Sequence, residues 1–149
     1  MMNDPTNDEA TTATTTQARI ATLRAGYAAF NRRDIDGALA MLTADVAWPD
    51  MLEGRTLAGH GAVRAYWTRQ FAILSSHVEP LEFVARDDRI LIAIDQRVRR
   101  LDGEEVERRE VGHLYTFRGG LASRMEVFAD VADARRALHD ASGDQRGRA

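Results

Sequence analysis

Asp50 stands directly after Trp48-Pro49 and directly before Met51-Leu52. An apolar setting of that kind can raise a carboxyl pKa and fit the group to take up and return a proton. A solvated turn residue after proline is the simpler alternative. His113 and Glu126 offer a second kind of chemistry, because they flank Gly119-Gly120, a pair suited to a two-residue hairpin turn. Such a turn sets Arg118 opposite Leu121, and therefore Phe117 opposite Ala122, Tyr115 opposite Arg124 and His113 opposite Glu126. Cβ atoms opposed in this way lie about 5 Å apart. A carboxylate that holds an imidazole fixes its tautomer and raises its pKa, which suits proton shuttling; a structural ion pair that also includes Arg124 is the alternative. Side chains alternate between faces, so this register gathers His113, Tyr115, Phe117, Arg124, Glu126 and Phe128 on one face. Leu114, Thr116, Leu121, Met125 and Val127 go to the other. A slip of one residue reverses the assignment.

Composition narrows the remaining options. The 149 residues contain no Cys, and all 20 basic residues are Arg. Thiol nucleophiles, thiolate metal sites, Schiff-base chemistry and a P-loop lysine are thereby excluded. His60, His77, His113 and His139 are scattered, with no pair at helical spacing for a metal, so the expectation is chemistry without metal or cofactor. A net charge of -3 with dispersed arginines argues against a nucleic-acid partner. The longest apolar run, Ile90 to Ile94, is far short of the ~20 residues that span a bilayer. The opening MMNDPTNDEATTATTT has neither a basic nor an apolar leader segment, so a cytoplasmic protein without a membrane partner is expected. Asp, Glu, His, Tyr and Arg are left for acid–base or electrostatic work.

The elements that must position these groups follow from periodicity. Residues 1–16 are Thr-rich and aperiodic, and 139–149 are equally polar, so both read as disordered tails around one domain at 17–138. In Gln17–Arg33, Ile20, Leu23, Tyr27 and Phe30 share one helical face. Asp34 or Asp36 can cap a short second helix running to Leu42. Val46–Trp48 reads as an extended piece that must break or lie at an edge at Pro49. A loop containing Gly54 then leads to a third helix, about His60–Leu74. From Val78 the period becomes two, giving strands 78–86, 89–101, 104–118 and 121–129, separated by Asp87-Asp88, Asp102-Gly103 and Gly119-Gly120. A short terminal helix covers Asp130–His139. Helices first and a meander afterwards make an α+β domain with helices on one face of a curved, mostly antiparallel sheet. Trp48, Tyr66, Trp67, Phe71, Phe83, Phe117 and Phe128 can wall a pocket between the layers, with ordinary core packing as the alternative. The arginine-rich run 97–110 reads as a solvated hairpin.

FNRRDIDGALAML (30–42), TADVAWPD (43–50), GHGAVRAYW (59–67) and HLYTFRGGLASRMEVFAD (113–130), in that order and spacing, resemble the nuclear transport factor 2-like superfamily over about residues 17–138. The likeness is strongest to its SnoaL-like and ketosteroid-isomerase-like branches. It implies a cone-shaped domain with an apolar pocket for a small apolar molecule, and a homodimer. It further implies isomerase- or polyketide-cyclase-like chemistry without a cofactor, or else a non-catalytic ligand-binding or dimerisation module. The isomerase branch aligns its proton-transferring Asp with Asp50, its helix-one Tyr with Gly26, one residue before Tyr27, and its oxyanion-binding Asp with His113. The last two positions depart from a steroid isomerase. The cyclase branch aligns an acid–base Asp with Glu126 and a His near His113. An epoxide-hydrolase-like Asp–Arg arrangement at Asp95 and Arg97 has its order reversed. Asp50, His113 and Glu126 are accordingly the expected catalytic residues. Trp48, Tyr66, Trp67, Phe71, Tyr115, Phe117, Arg124 and Phe128 are the expected ligand contacts.

Overall fold

The computed structural model describes residues 5–147, with side chains described for residues 13–140. Helix α1 spans Pro5–Asn31, so it begins inside the segment read as a tail. Proline suits the first turn of a helix, where its missing N–H has no partner to lose. Helix α2 (Ile35–Leu39) is capped by Asp34, whose Oδ1 accepts from Gly37 N at 3.0 Å. It stops short of Leu42, which opens strand β1 (Leu42–Asp50). Strand β2 (Arg55–Ala58) forms where a loop was expected. It pairs antiparallel with the end of β1, setting Trp48 opposite Leu57 and Asp50 opposite Arg55. Leu57 is its one buried residue, too little alternation to read as a strand. Helix α3 (His60–Ile73) buries Val63, Tyr66 and Trp67. The meander is β3 (Ser75–Arg86), β4 (Arg89–Arg99), β5 (Glu105–Arg118) and β6 (Leu121–Phe128), followed by α4 (Val131–Gly147). Helix α4 continues past His139, with no proline to stop it. The tails expected at residues 1–4 and 148–149 lie outside the described residues.

The six strands form one sheet in the order β2-β1-β6-β5-β4-β3. Every neighbouring pair is antiparallel except β1–β6, which is parallel. The β1–β6 pairing ends at Ala47, so Pro49, which has no N–H to give, has only β2 beside it, as an edge position requires. Helices α1–α3 cover the inner face, where Leu23, Tyr27, Val46, Trp67, Ile92 and Tyr115 belong to the main core. Helix α4 packs on the outer face, not with the other helices: Ala134 and Leu138 meet Leu91 and Leu114 in a second cluster. Gly112 makes its seat, since a Cβ there would lie 2.6 Å from the Ala134 Cβ. Fully burying each of these leucines contributes about 1.5–3 kcal/mol.

The last hairpin departs from the expected register at one place. Arg118↔Leu121 and Phe117↔Ala122 pair as a two-residue turn dictates, but the next partners are Thr116↔Arg124, Tyr115↔Met125, Leu114↔Glu126 and His113↔Val127. Ser123 is the extra residue of a β-bulge, and its Oγ donates to Thr116 O at 3.2 Å. Beyond it every β6 side chain changes face. Met125 and Val127 turn inward, and Arg124, Glu126 and Phe128 turn outward. The straight register would have driven two charged side chains into the apolar interior, at a cost far above that of one irregular pair.

Candidate functional site

Between α1, α3 and the inner face of the sheet lies a cavity of about 340 Å³. Its walls are mainly apolar, with Trp48, Trp67, Val111, Met125 and Val127 among them. Trp48 meets Trp67 edge-on at 5.3 Å between ring centroids and Tyr115 at 6.2 Å, an arrangement aromatic quadrupoles favour.

Into this wall is set a chain of three polar rings. The Tyr27 hydroxyl lies 2.5 Å from His113 Nδ1 and 2.8 Å from the Tyr115 hydroxyl. Helix α1 aims Tyr27 here because it shares a stripe with Leu23 and Phe30, while Gly26 before it allows the helix to press onto Met41. A Cβ at Gly26 would fall 2.3 Å from Met41 Sδ, so any side chain at that position requires Met41 to move. His113 and Tyr115 come from alternate inward positions of β5. His113 is 8% exposed, and burial pushes its imidazole pKa down to about 4, so it is neutral at pH 7. Burial also raises Tyr27 and Tyr115, keeping both phenols protonated. The chain runs in either of two senses. With Nδ1 protonated, His113 donates to Tyr27, Tyr27 donates to Tyr115, and the Tyr115 proton is free for a ligand. Reversed, Tyr115 donates to Tyr27, Tyr27 donates to Nδ1, and Nε2 carries the imidazole proton. Among the described residues the buried polar side-chain atoms without a hydrogen-bond partner are Arg89 Nε and Glu107 Oε2. His113 Nε2, which has no protein partner either, therefore opens onto the cavity.

The other two expected catalytic groups are placed elsewhere. Asp50 is 1% exposed but is not part of the cavity wall. Its Oδ1 accepts from Leu52 N at 2.9 Å and Glu53 N at 3.0 Å, closing the turn between β1 and β2. Arg55 Nε and Arg69 Nη2 approach its Oδ2 at 3.4 and 3.6 Å. Burial pushes the carboxyl up, but the two backbone donors and the two arginines outweigh it and hold the pKa below the usual carboxylate range. An Asp so held is an anion that shapes the Met51–Leu52 rim of the cavity, with Tyr66 OH accepting from Met51 N at 3.1 Å. Glu126 is on the outer face, 3.8 Å from both Arg89 and Arg124. The bulge at Ser123 thus separates it from His113, and the expected His113–Glu126 pair does not form.

Among the expected ligand contacts, Trp48, Tyr66, Trp67 and Tyr115 line the cavity. Phe71 lies outside it, packed on Phe30 at 5.0 Å with the Arg33 guanidinium over its ring. Phe117 is core beneath Arg19, Arg124 is on the outer face, and Phe128 joins the α4 cluster. Phe83, the remaining aromatic of the expected wall, packs against the core beneath Arg24. Sequence reasoning missed Tyr27 as a site residue, although its place in the apolar stripe of α1 was the signal. It also missed Glu107 and Arg109, which line the far end of the cavity. Glu107 sits about 20 Å along β5 from His113, with Arg109 Nε 2.6 Å from its Oε2 but off line for a hydrogen bond. No group of three or more His, Asp or Glu that could hold a metal occurs among the described residues, and no described helix is long and apolar enough to cross a membrane.

The family model for the SnoaL-like domain matches residues 23–125. An NTF2-like protein of unknown function from Burkholderia pseudomallei is 30% identical, over 81% of this chain and 97% of its own, with a TM-score of 0.68. TerC, co-crystallised with polyporic acid, is 28% identical over 82% of this chain and 98% of its own, also at 0.68. A candidate polyketide cyclase from Xanthomonas campestris pv. campestris has the same fold at 21% identity, over 80% of this chain and 96% of its own, with a TM-score of 0.68. The chain matches none of the curated proteins. A cavity between helices and an open curved sheet, with a family match over most of that framework, makes this chain a member of the SnoaL-like domain family within the NTF2-like fold.

Proposed function

We propose that this chain is a cofactor-independent, isomerase- or cyclase-like enzyme acting on a small apolar carbonyl compound, with His113 as its proton-transfer group. The observation that carries the reading is the hydrogen-bonded chain Tyr27–His113–Tyr115 in the wall of a mainly apolar cavity. With the chain in its first sense, Tyr115 O–H donates to the substrate carbonyl and the bare Nε2 of His113 faces its α-carbon. The α-proton passes to Nε2 while the C–H electron pair moves to the carbonyl oxygen, where the Tyr115 hydrogen bond strengthens as charge develops. Return of the proton to another carbon gives an isomer. Attack of the enolate carbon on a second carbonyl, with the Nε2 proton delivered to the new alkoxide, closes a ring. Asp50 acts in this scheme only by holding the rim, and Glu126 has no part.

Exchange of substrate α-protons in D₂O, followed by NMR over a panel of aromatic ketones and polyketide-like compounds that carry an α C–H, tests it. His113→Gln should slow exchange about 100-fold or more, and Tyr27→Phe should slow it with fold retained. Unchanged exchange in His113→Gln overturns the proposal. A second reading, a ligand-binding module without catalysis, is favoured by one observation: Glu107, a carboxylate of the cavity wall, is paired with Arg109 far from the three rings. Tight ligand binding with no exchange by the native chain would establish that reading. The homodimer implied by the family resemblance belongs to either version, and light scattering of the purified chain reads it directly.

A further inference from the structure

A second cleft, of about 270 Å³, lies on the other side of β3 from the cavity. Ser76 and Val78 of β3 turn into the cavity, so Ser75 and His77 turn away from it. Their partners on β4 are Arg99 and Arg97, and all four line the cleft together with Asn31 and Arg33 from the end of α1. Three arginines and a histidine therefore converge on one hollow.

Arg33 is pre-set in it. Its backbone is in the left-handed region at φ 67, an uncommon conformation for a residue with a side chain. Asn31 ties the helix end to the edge of β3 through both polar groups of Val78, Nδ2 donating to its O at 2.8 Å and Oδ1 accepting from its N at 2.9 Å. The Arg33 guanidinium lies 4.5 Å over the Phe71 ring. Nη1 donates to Phe30 O and Ser76 O at 3.2 and 2.7 Å, and Nη2 donates to Ser75 Oγ at 2.6 Å. A guanidinium has five N–H donors, so Nε–H and one Nη2–H are left without a protein acceptor among the described residues. Nε is not among the atoms buried without a partner, so this remaining edge is accessible.

The charge in the cleft is only partly neutralised by carboxylates of the described residues. Neither Arg33 nor Arg99 has a carboxylate within ion-pair distance among the described residues. Arg97 has only Asp95 at 4.0 Å, an oxygen that Arg108 approaches more closely at 3.2 Å. His77 has Glu79 at 3.4 Å. Guanidinium groups held at fixed positions are suited to oxyanions, which they bind through paired N–H donors. A dianion matches the excess of positive charge better than a single carboxylate does.

We propose that the cleft formed by Arg33, Ser75, His77, Arg97 and Arg99 is a binding site for a phosphoryl group, separate from the cavity. The source is either free phosphate or a phosphate monoester, and both present the same oxygens. Titration calorimetry of the full chain with inorganic phosphate and with phenyl phosphate, at ionic strength held constant with sodium chloride, tests the site. Saturable phosphate binding should weaken about tenfold in each of Arg97→Gln and Arg99→Gln and should be unchanged in Arg64→Gln, an arginine on α3 away from the cleft. Arg33→Gln should weaken it further, but this change also disturbs packing on Phe71, so the two β4 variants carry the test. Tighter binding of phenyl phosphate would identify an ester as the ligand, and tighter binding of inorganic phosphate the free ion. Equal affinity in native chain and β4 variants, or an effect matched by sodium chloride alone, overturns the proposal.

Discussion

On the inner face of β5 and β6, His113, Tyr115, Met125 and Val127 meet no charged partner, and the Tyr27 hydroxyl is the hydrogen-bond partner of both His113 Nδ1 and the Tyr115 hydroxyl. On the outer face a few ångströms away, Arg89, Arg124 and Glu126 form loose ion pairs beside the apolar seat of α4. The same two strands supply a mainly apolar wall carrying a buried imidazole and an outer surface of loosely paired charges. What divides them is one extra residue at position 123. Chemistry in this fold depends less on which residues a strand contains than on where its register shifts.

The most damaging change to that division is Met125→Asp. The bulge turns position 125 into the apolar interior opposite Tyr115, so the variant buries an unpaired carboxylate and stability should fall by about 4–5 kcal/mol. Urea unfolding followed by circular dichroism measures this. Near-native stability would mean that position 125 faces water and that the bulge is not what separates the faces.

Next in size is the pH dependence contributed by His113. Its folded pKa, about 4, is below the unfolded value of about 6.5. Between these values the unfolded chain binds the extra proton. The stabilisation is therefore complete above pH ~6.5 and is lost as pH falls toward ~4, by about 3 kcal/mol in all. The difference between native chain and His113→Gln in unfolding free energy against pH isolates this contribution from that of the carboxylates. A variant with the same acid limb as the native chain would place the imidazole in water.

The smallest effect should come from Glu126→Gln. Its partners are 3.8 Å away, so thermal unfolding should show a loss of about 1 kcal/mol or less. Proton exchange should be unaffected. A large loss of exchange would return Glu126 to the chemistry and contradict the register.

Much of this framework was legible because it rests on local signals. Asp87-Asp88, Asp102-Gly103 and Gly119-Gly120 mark the three turns, and the change of period after α3 marks the sheet. His113 and Tyr115 could be placed on one face from the last of these turns. Glu126 could not, because no residue type compels a bulge at Ser123. The spacing of Ala122, Met125 and Val127 was the available hint: burying all three needs one residue more than strict alternation allows. Asp50 was misread for a different reason. Its neighbours in sequence are apolar, but its partners are two backbone N–H groups and two arginines, one of them on α3. Its electrostatic setting is a product of folding.

The single parallel pairing in the sheet has a temporal consequence. Leu42 of β1 is registered with Ala122 of β6, 80 positions later in the chain. Trp48 on one strand and Met125 on the other cannot enclose a hollow until nearly the whole polypeptide has left the ribosome. Closing so long a loop is slow compared with forming the hairpins between. During synthesis the tryptophans of the first half wait uncovered, and a nascent chain paused before β6 would present them to chaperones.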